Sequence, residues 1–369
     1  MPTPFRSLII LFFLLASAGS SFLFGQGRPM PGADPDTTLI YAGERHFSNI
    51  QQLTHDGGEF AEAYFSFDGK KLVFQHRDLK NIMCDQIFWG PIPETPNESI
   101  QYKMESNGLG RTTCSYFLPG DSLILYASTQ ATVDTCPAEP DKKKIGKYVW
   151  PLYNAYEIYV ADLHGHVRRQ LTKNDFYDAE ATISPKGDRI IFTSTRNGDI
   201  DLYTMNLDGT DVKQVTNTLG YDGGANFSPD GSMIVWRASR PATAEEMAEY
   251  KSLLAQGLVA PTHMEVWVAN ADGSNAHQVT NLPGANWAPA FTPTGKKIIF
   301  SSNFEHDSKF PFNLYLINVD GTGLEKITES SHFDAFPMFS PDGKRLVFCS
   351  NRHNGGGNDI NIFIADWKD

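Results

Sequence analysis

Positive charge, cysteine and long apolar runs are all scarce in this sequence. Its 369 residues include 31 Lys and Arg against 43 Asp and Glu, for a formal net charge of −12. This acidic balance argues against nucleic acid and anionic lipid as partners, because both favour a basic surface. It is compatible with cationic peptides, with metal ions or simply with solubility.

The one long apolar run lies at the N-terminus and predicts an export signal. Arg6 precedes the apolar residues 8–15, and the small residues 16–18 follow them. This is the order of a signal peptide, which we assign to residues 1–25, ahead of a Pro- and Gly-rich linker over residues 26–43. An uncleaved membrane anchor is the alternative, because apolar residues return at 22–24. We expect a periplasmic or secreted protein without a transmembrane segment in the mature chain.

The four cysteines lack the spacing of a zinc or redox motif. Neither C-x-x-C nor H-E-x-x-H occurs in the sequence. Cys349 falls in an apolar strand pattern and is expected to be a buried thiol. Cys84, Cys114 and Cys136 are expected near loop ends on one side of the fold. One disulfide among them is predicted after export, and the sequence leaves its pairing open.

A short pattern recurs six times along the chain. It consists of an apolar residue, a tight turn rich in Pro, Asp and Gly, and an apolar strand, which together are typical of a β-hairpin. The copies begin at Phe65, Phe117, Ile183, Phe227, Phe291 and Phe339. Two further strand patterns follow at regular spacing. The first contains an aromatic residue, and the second ends in an apolar residue followed by Thr. Each unit therefore has four short strands, which we name a to d.

Repeated units of four antiparallel strands indicate a β-propeller. We predict an all-β, six-bladed β-propeller over residues 44–369. The sixth unit ends after its c strand at residues 361–365, whereas a d-type strand at residues 49–53 precedes the first hairpin. The N-terminal strand is therefore predicted to close the ring as the outer strand of the sixth blade.

The repeat is similar to that of a known family. The sequence S-P-D-G-K at residues 340–344, followed by L-V-F at 346–348 and S-N-R at 350–352, resembles the PD40 (WD40-like) repeat of the TolB family. The resemblance covers about residues 44–369. It implies a periplasmic propeller with a protein or peptide of the cell envelope as its partner. The small α/β domain that precedes the propeller in TolB has no counterpart here, so the resemblance does not extend to a Tol–Pal role.

The loop lengths predict which face of the propeller binds a ligand. The a–b and c–d links are constant in length, whereas the b–c links vary widely. In a propeller the b–c and d–a loops share one face, the top, around the mouth of the central channel. Because function is built on loops over a rigid scaffold, we expect the ligand there. The alternative is that the insertions have no function, because surface loops tolerate added residues.

Two long b–c insertions are of particular interest. Residues 131–154 of the second unit contain Tyr148 and Trp150, which are predicted either to recognise a ligand or to clamp the loop onto the propeller. Residues 241–264 of the fourth unit predict one short helix with a capping box formed by Thr243 and Glu246. This helix is expected on the rim, as a lid or by simple packing.

Acidic residues align at the start of the inner strands. One aligned position holds Asp178, Asp222 and Asp334, and another holds Glu62 and Glu180. At the channel mouth they would attract a basic peptide segment or a cation such as calcium, the latter at Asp178, Glu180 and Asp222. The alternative is structural, because Arg196, Arg240 and Arg352 align in the b–c loops and can pair with the aspartates.

We predict a non-catalytic binding module with its ligand on the top face. The candidate ligand-binding residues are Glu62, Asp178, Glu180, Asp222, Asp334, Tyr148 and Trp150. No catalytic residue and no cofactor other than possible calcium are expected, and no G-x-S-x-G motif occurs. The alternative is a metal-dependent carbohydrate-active or hydrolytic enzyme, because related pectin-fragment lyases use a histidine cluster and His55 and His332 lie in d–a loops.

Overall fold

Each hairpin motif folds into the two inner strands of a four-stranded antiparallel sheet. The computed structural model describes residues 39–78, 80–306, 310–354 and 357–368. Six such sheets follow one another, which confirms the predicted all-β, six-bladed propeller. The predicted signal peptide, residues 1–25, and most of the predicted linker lie outside the described residues. No helix in the described ranges is long and apolar enough to cross a membrane.

In the first three blades, strands a to d follow one another along the chain. Blade 1 consists of Glu59–Phe65, Lys71–Arg77, Gln86–Pro91 and Lys103–Met104. Blade 2 consists of Thr112–Phe117, Leu123–Ser128, Glu157–Asp162 and Val167–Gln170. Blade 3 consists of Asp178–Ile183, Arg189–Ser194, Asp201–Asn206 and Lys213–Gln214.

The last three blades repeat this order, with one change in the sixth. Blade 4 consists of Asp222–Phe227, Met233–Ala238, Glu265–Asn270 and His277–Gln278. Blade 5 consists of Asn286–Phe291, Lys297–Ser302, Asn313–Asn318 and Glu325–Lys326. Blade 6 consists of Asp334–Phe339, Arg345–Ser350, Asn361–Trp367 and, as its outer strand, the N-terminal Phe47–Gln52. The outer strand pairs antiparallel with Asn361–Trp367.

An aromatic pair at the same place in every blade forms the centre of the core. The b-strand and c-strand rings have their centroids between 5.6 and 6.3 Å apart. The pairs are Phe74–Phe88, Tyr126–Tyr159, Phe192–Tyr203, Trp236–Trp267, Phe300–Tyr315 and Phe348–Phe363. Because all the b-strand rings are fully buried, each blade is stabilised by packing against its neighbours.

Two α-helices and one 3₁₀ turn lie outside the sheets of the described residues. Helix α1, Lys142–Ile145, is a single turn that was not predicted. Helix α2, Ala244–Leu254, is the predicted helix of the fourth blade. The Thr243 side chain accepts from the Glu246 backbone N–H, and the Glu246 side chain accepts from that of Thr243, so the predicted capping box is confirmed. The 3₁₀ turn is Phe304–His306.

Candidate functional site

The two long insertions meet above the top face. Strand Trp150–Pro151 of the second blade's insertion pairs antiparallel with strand Leu258–Val259 of the fourth blade's insertion. Val149 packs with Leu253 of helix α2 in a small buried cluster, and Lys147 forms an ion pair with Glu249 of the same helix. Residues 131–154 and 241–264 therefore form one bridging structure, which we call the lid.

A disulfide ties the lid to a third blade. Cys84 in the b–c loop of blade 1 is bonded to Cys136 near the start of the lid. One bridge among the three candidate cysteines is therefore confirmed and its pairing is now defined. Cys114 and Cys349 are free thiols, and Cys349 is buried as predicted. The lid, which is built on blades 2 and 4, is thus also fastened to blade 1.

Removing this disulfide is expected to loosen the lid without unfolding the propeller. In a Cys84→Ser, Cys136→Ser variant, the closed loop of 52 residues is lost, and a stability decrease of about 2–4 kcal/mol is expected. Thermal unfolding measures the decrease, and limited proteolysis should cut first within residues 131–147. The reductant-treated wild type is the control and should behave like the variant. Identical melting and cleavage with and without the bridge would contradict the prediction.

A large cavity lies between the lid and the channel. Its volume is about 1050 Å³, which is enough for a short peptide segment or a small-molecule ligand. Nine aromatic side chains line it: Phe60, Tyr148, Trp150, Tyr153, Tyr156, Tyr177, Trp287, Phe333 and Phe336. Trp150 packs edge-on against Trp287 with ring centroids 5.4 Å apart. The lid rings therefore both hold the lid in place and form part of the cavity wall.

Below the cavity, one residue of each inner strand surrounds the channel. These residues are Glu62, Cys114, Glu180, Gly224, Ala288 and Phe336, which we call the channel ring. All six have positive φ, between 45° and 62°, and each inner strand shifts its register there in a β-bulge. Because a bulge redirects the local side chain, this irregularity explains why these residues line the channel.

Glu180 is held by neighbours from two blades. Its carboxylate accepts hydrogen bonds from the Thr193 hydroxyl at 2.7 Å and from the Tyr221 hydroxyl at 3.0 Å. The Arg237 guanidinium forms an ion pair with the same carboxylate and donates to the Tyr221 hydroxyl at 2.8 Å. Arg237 also lies 5.3 Å from the centre of the Trp150 ring. The charges of Glu180 and Arg237 are therefore neutralised against each other.

Glu62 occupies the corresponding place in blade 1 without such a partner. It forms no ion pair with any part of the chain that the structure describes, and its carboxyl group contacts the Cys114 thiol. Burial raises the pKa of Glu62 to about 7, against a smaller lowering by the hydrogen bond with the Cys114 thiol and by the charge of the nearby Arg237. The base of the cavity thus holds a carboxyl group that changes its charge near neutral pH.

Glu62→Gln is expected to stabilise the protein at pH 8 and to change it little at pH 5. The folded-state pKa lies above the ordinary value of 4.5, so the stability that protonation provides is complete below about pH 4.5 and is lost as the pH rises through about 7. Glutamine does not ionise, so the variant should gain about 1–2 kcal/mol at pH 8. Thermal unfolding at both pH values measures the gain. An equal difference at pH 5 and pH 8 would contradict the assignment.

An ion-pair chain runs along the wall between blade 1 and the lid. Arg77 donates to Glu59 at 2.7 Å and lies 3.8 Å from Asp85. Arg111 lies 3.5 Å from the other oxygen of Asp85 and pairs with Glu139 of the lid. The charges of this chain are therefore shared among paired groups.

The fold and the repeat can be compared with known proteins. The family model of the TolB beta propeller domain matches residues 127–255 and 258–366. The chain belongs to the TolB β-propeller family. No curated protein matches it.

The solved structures that resemble this TolB-family propeller include three with different functions in their names. The putative TolB from Agrobacterium tumefaciens has a TM-score of 0.53 at 18% identity, covering 87% of this chain and 97% of the other. An oligogalacturonate lyase from Vibrio parahaemolyticus has a TM-score of 0.51 at 14% identity, with 85% and 79% covered. A gluconolactonase from Xanthomonas campestris has a TM-score of 0.56 at 11% identity, with 91% and 95% covered. At these identities the similarity shows the fold alone.

Four of the seven predicted ligand-binding residues line the cavity of this propeller: Glu62, Glu180, Tyr148 and Trp150. The other three do not. Asp178, Asp222 and Asp334 are fully buried. They accept from Arg196 at 2.9 Å, Arg240 at 2.5 Å and Arg352 at 2.8 Å, respectively. The structure therefore has the arrangement given above as the structural alternative. Each aspartate pairs with an arginine of a b–c loop and holds that loop in place.

The possible calcium site is not assembled by these side chains. Asp178 and Asp222 are each engaged by an arginine, and Glu180 is engaged by Arg237. Across the described ranges, no three His, Cys, Asp or Glu residues gather where they could hold a metal ion. The cation proposed from the alignment thus has no group of ligands in this arrangement.

Several cavity residues were missed although the repeat held a signal for them. The residue just before the aligned aspartates is Tyr177 in blade 3 and Phe333 in blade 6, and both line the cavity. The same position in blades 1 and 2 holds Glu59 and Arg111, which also line it. Extending the alignment by one residue would have found this set. Trp287, by contrast, has no counterpart of its type in the other blades.

Proposed function

We propose that the protein is a non-catalytic binding module of the cell envelope that takes a segment of a protein or a peptide into the cavity beneath the lid. The observation that carries the proposal is the aromatic cavity of about 1050 Å³ between the lid and the channel ring. Aromatic rings contribute much of the binding energy in protein recognition, since they bury large areas at small entropic cost. Membership of the TolB β-propeller family is consistent with this role.

The cavity wall favours binding over the alternative of metal-dependent catalysis. No histidine of the described residues lines the cavity. His55, one of the two candidates, is exposed, and His332 lies with its ring centroid 6.3 Å from that of Tyr41. A lyase or hydrolase that relies on a histidine and carboxylate cluster needs those groups to converge on one point.

Export is part of the same proposal. The signal-like N-terminal sequence predicts passage into an oxidising compartment, and the Cys84–Cys136 bridge is a bond that such a compartment preserves. We therefore place the protein in the periplasm or outside the cell, where an envelope protein or peptide is its partner.

Site-specific photo-crosslinking tests whether the ligand enters through the top face. A photoreactive phenylalanine analogue at Met83, an exposed cavity residue, should give crosslinked adducts in intact cells. The matched control places the same analogue at Val212, which is exposed in a c–d turn on the opposite face. Adding Trp150→Ala to the Met83 variant should strongly reduce the adducts. Adducts that form equally from Val212, or that survive Trp150→Ala unchanged, would exclude the cavity as the binding site.

A further inference from the structure

The fold does not require an acid at the position of Glu62. The equivalent places in the channel ring are occupied by Gly224 and Ala288, which carry neither charge nor hydrogen-bonding side chains. The left-handed backbone conformation of Glu62, with a φ of 53°, is shared by the whole channel ring and so does not require this side chain either. The carboxyl group of Glu62 is buried with no ion pair among the described residues to offset that burial.

The charges around Glu62 leave one negative charge at the base of the cavity. The charged groups that interact with it are Arg237, Glu180 and Asp85. Arg237 is engaged by Glu180 and the Tyr221 hydroxyl, and Asp85 lies between Arg77 and Arg111. When ionised, Glu62 is thus the group for which the described side chains supply no dedicated counter-ion.

Aromatic rings stand in the blades on both sides of Glu62. Blade 6 contributes Phe333 and Phe336, with ring centroids 6.3 Å apart. On the other side, Tyr156 of the second blade's b–c loop packs edge-on against Tyr177, at 5.8 Å. The negative faces of such rings attract a cation, and most strongly where water is displaced. Rings and a carboxylate together are the chemistry that selects an ammonium group.

We propose that the bound peptide inserts a lysine-type primary ammonium group to the base of the cavity, where it pairs with the Glu62 carboxylate among these rings. This inference rests on the proposed function and specifies its ligand. The volume beneath the lid accommodates an extended side chain together with the residues on either side of it. The acidic overall charge of the protein, −12, favours the approach of a cationic peptide.

The test is a calorimetric titration of the mature protein with two peptides. One is Gly-Lys-Tyr, acetylated at the N-terminus and amidated at the C-terminus, and the other is the same peptide with Nε-acetyl-lysine. Acetylation removes the charge while keeping the side chain. The lysine peptide should bind at least about tenfold more tightly than its acetylated form, and Glu62→Gln should remove that preference.

Glu157→Gln is the matched control, because Glu157 is also a buried carboxylate whose pKa is raised by burial, but it lies in the c strand of blade 2 and does not line the cavity. It should leave the lysine preference intact. Glu62→Gln removes an unpaired charge and is expected to fold, which thermal unfolding verifies. Equal binding of both peptides would overturn the ammonium inference and leave the cavity as a peptide site. Failure of the lysine peptide to bind at millimolar concentration would also overturn it, while the crosslinking at Met83 decides the proposed function separately.

Discussion

A chain that starts after Leu53 is expected to lose the cooperative fold. The deletion removes the outer strand of blade 6 together with Leu53, which follows it, and the side chains of Phe47, Ile50 and Leu53 are buried. The Phe47 ring stacks on Phe348 with centroids 5.5 Å apart. Burial of three such side chains contributes about 1.5–3 kcal/mol each. Their sum is comparable with the whole stability of a typical domain, about 5–15 kcal/mol.

The truncation has a second effect at the edge of the sheet. Without Phe47–Gln52, the strand Asn361–Trp367 exposes its unpaired backbone groups, which invite aggregation. Circular dichroism melting and size-exclusion chromatography measure both effects. The mature chain with its N-terminal strand intact is the control. If the chain starting after Leu53 melts within a degree or two of that control, closure by the N-terminal strand does not hold the ring.

The sequence was sufficient for the architecture because the propeller signal is local and repeated. Each hairpin turn lies within a few residues of the strands that it joins, and the order of motifs defines which strand is missing from the last blade. The capped helix α2 was predictable for the same reason, because Thr243 and Glu246 are three residues apart. The one-turn helix α1 is too short to show an amphipathic pattern in the sequence. Its formation depends on the loop around it.

The site was only partly predictable because it depends on contacts between distant segments. The lid exists because Trp150–Pro151 pairs with Leu258–Val259, and no periodic pattern links two short strands so far apart. The direction of the inner-strand side chains depends on bulges at non-glycine residues such as Glu62 and Phe336. The alignment of the repeats predicted where these residues lie along the strand. It did not predict that the bulge changes the direction of their side chains. It therefore placed Asp178 at the channel, whereas that side chain turns to Arg196 in the loop.

The strongest single-residue effect is expected at Arg352, which joins the N-terminal segment to blade 6. Its guanidinium donates to Asp334 at 2.8 Å and to Glu44 at 3.0 and 3.1 Å. The side chains of all three residues are fully buried. It also donates to the backbone carbonyl of Leu39 at 3.0 Å and lies over the Tyr41 ring. One cation therefore compensates two buried carboxylates, one of which comes from outside the repeats.

Arg352→Met should lower the free energy of unfolding by about 3–5 kcal/mol, because two buried carboxylates lose their counter-ion. Arg196→Met is the matched control. Among the residues that the structure describes, Arg196 forms an ion pair with Asp178 alone, and Asp178 also accepts a hydrogen bond from the Asn174 side chain at 2.7 Å. Its loss should therefore cost clearly less. Thermal and denaturant unfolding of both variants measure the difference, and equal losses would contradict the special role of Arg352.

The pH dependence identifies the electrostatic part of that loss. In the wild type, burial acts to raise the pKa of Asp334, but the charge and hydrogen bonds of Arg352 more than offset it, so the pKa lies below the ordinary value of 3.8. Its contribution to stability is present above that value and is lost as the pH falls further. Without Arg352, burial is opposed only by the hydrogen bonds from the Ser330 and Ser350 side chains, so the pKa should rise and protonation at mildly acidic pH should relieve the buried charge.

The stability difference between wild type and Arg352→Met should therefore narrow from pH 8 to pH 5. Adding Glu44→Gln to the variant should recover part of the loss at pH 8, since one of the two uncompensated carboxylates is then neutral. In the wild type, Glu44→Gln should instead destabilise, because it removes a partner of Arg352. A substitution that changes sign with its background would show that the N-terminal segment is held to blade 6 by charge. A loss that is the same at every pH would assign the effect of Arg352 to packing.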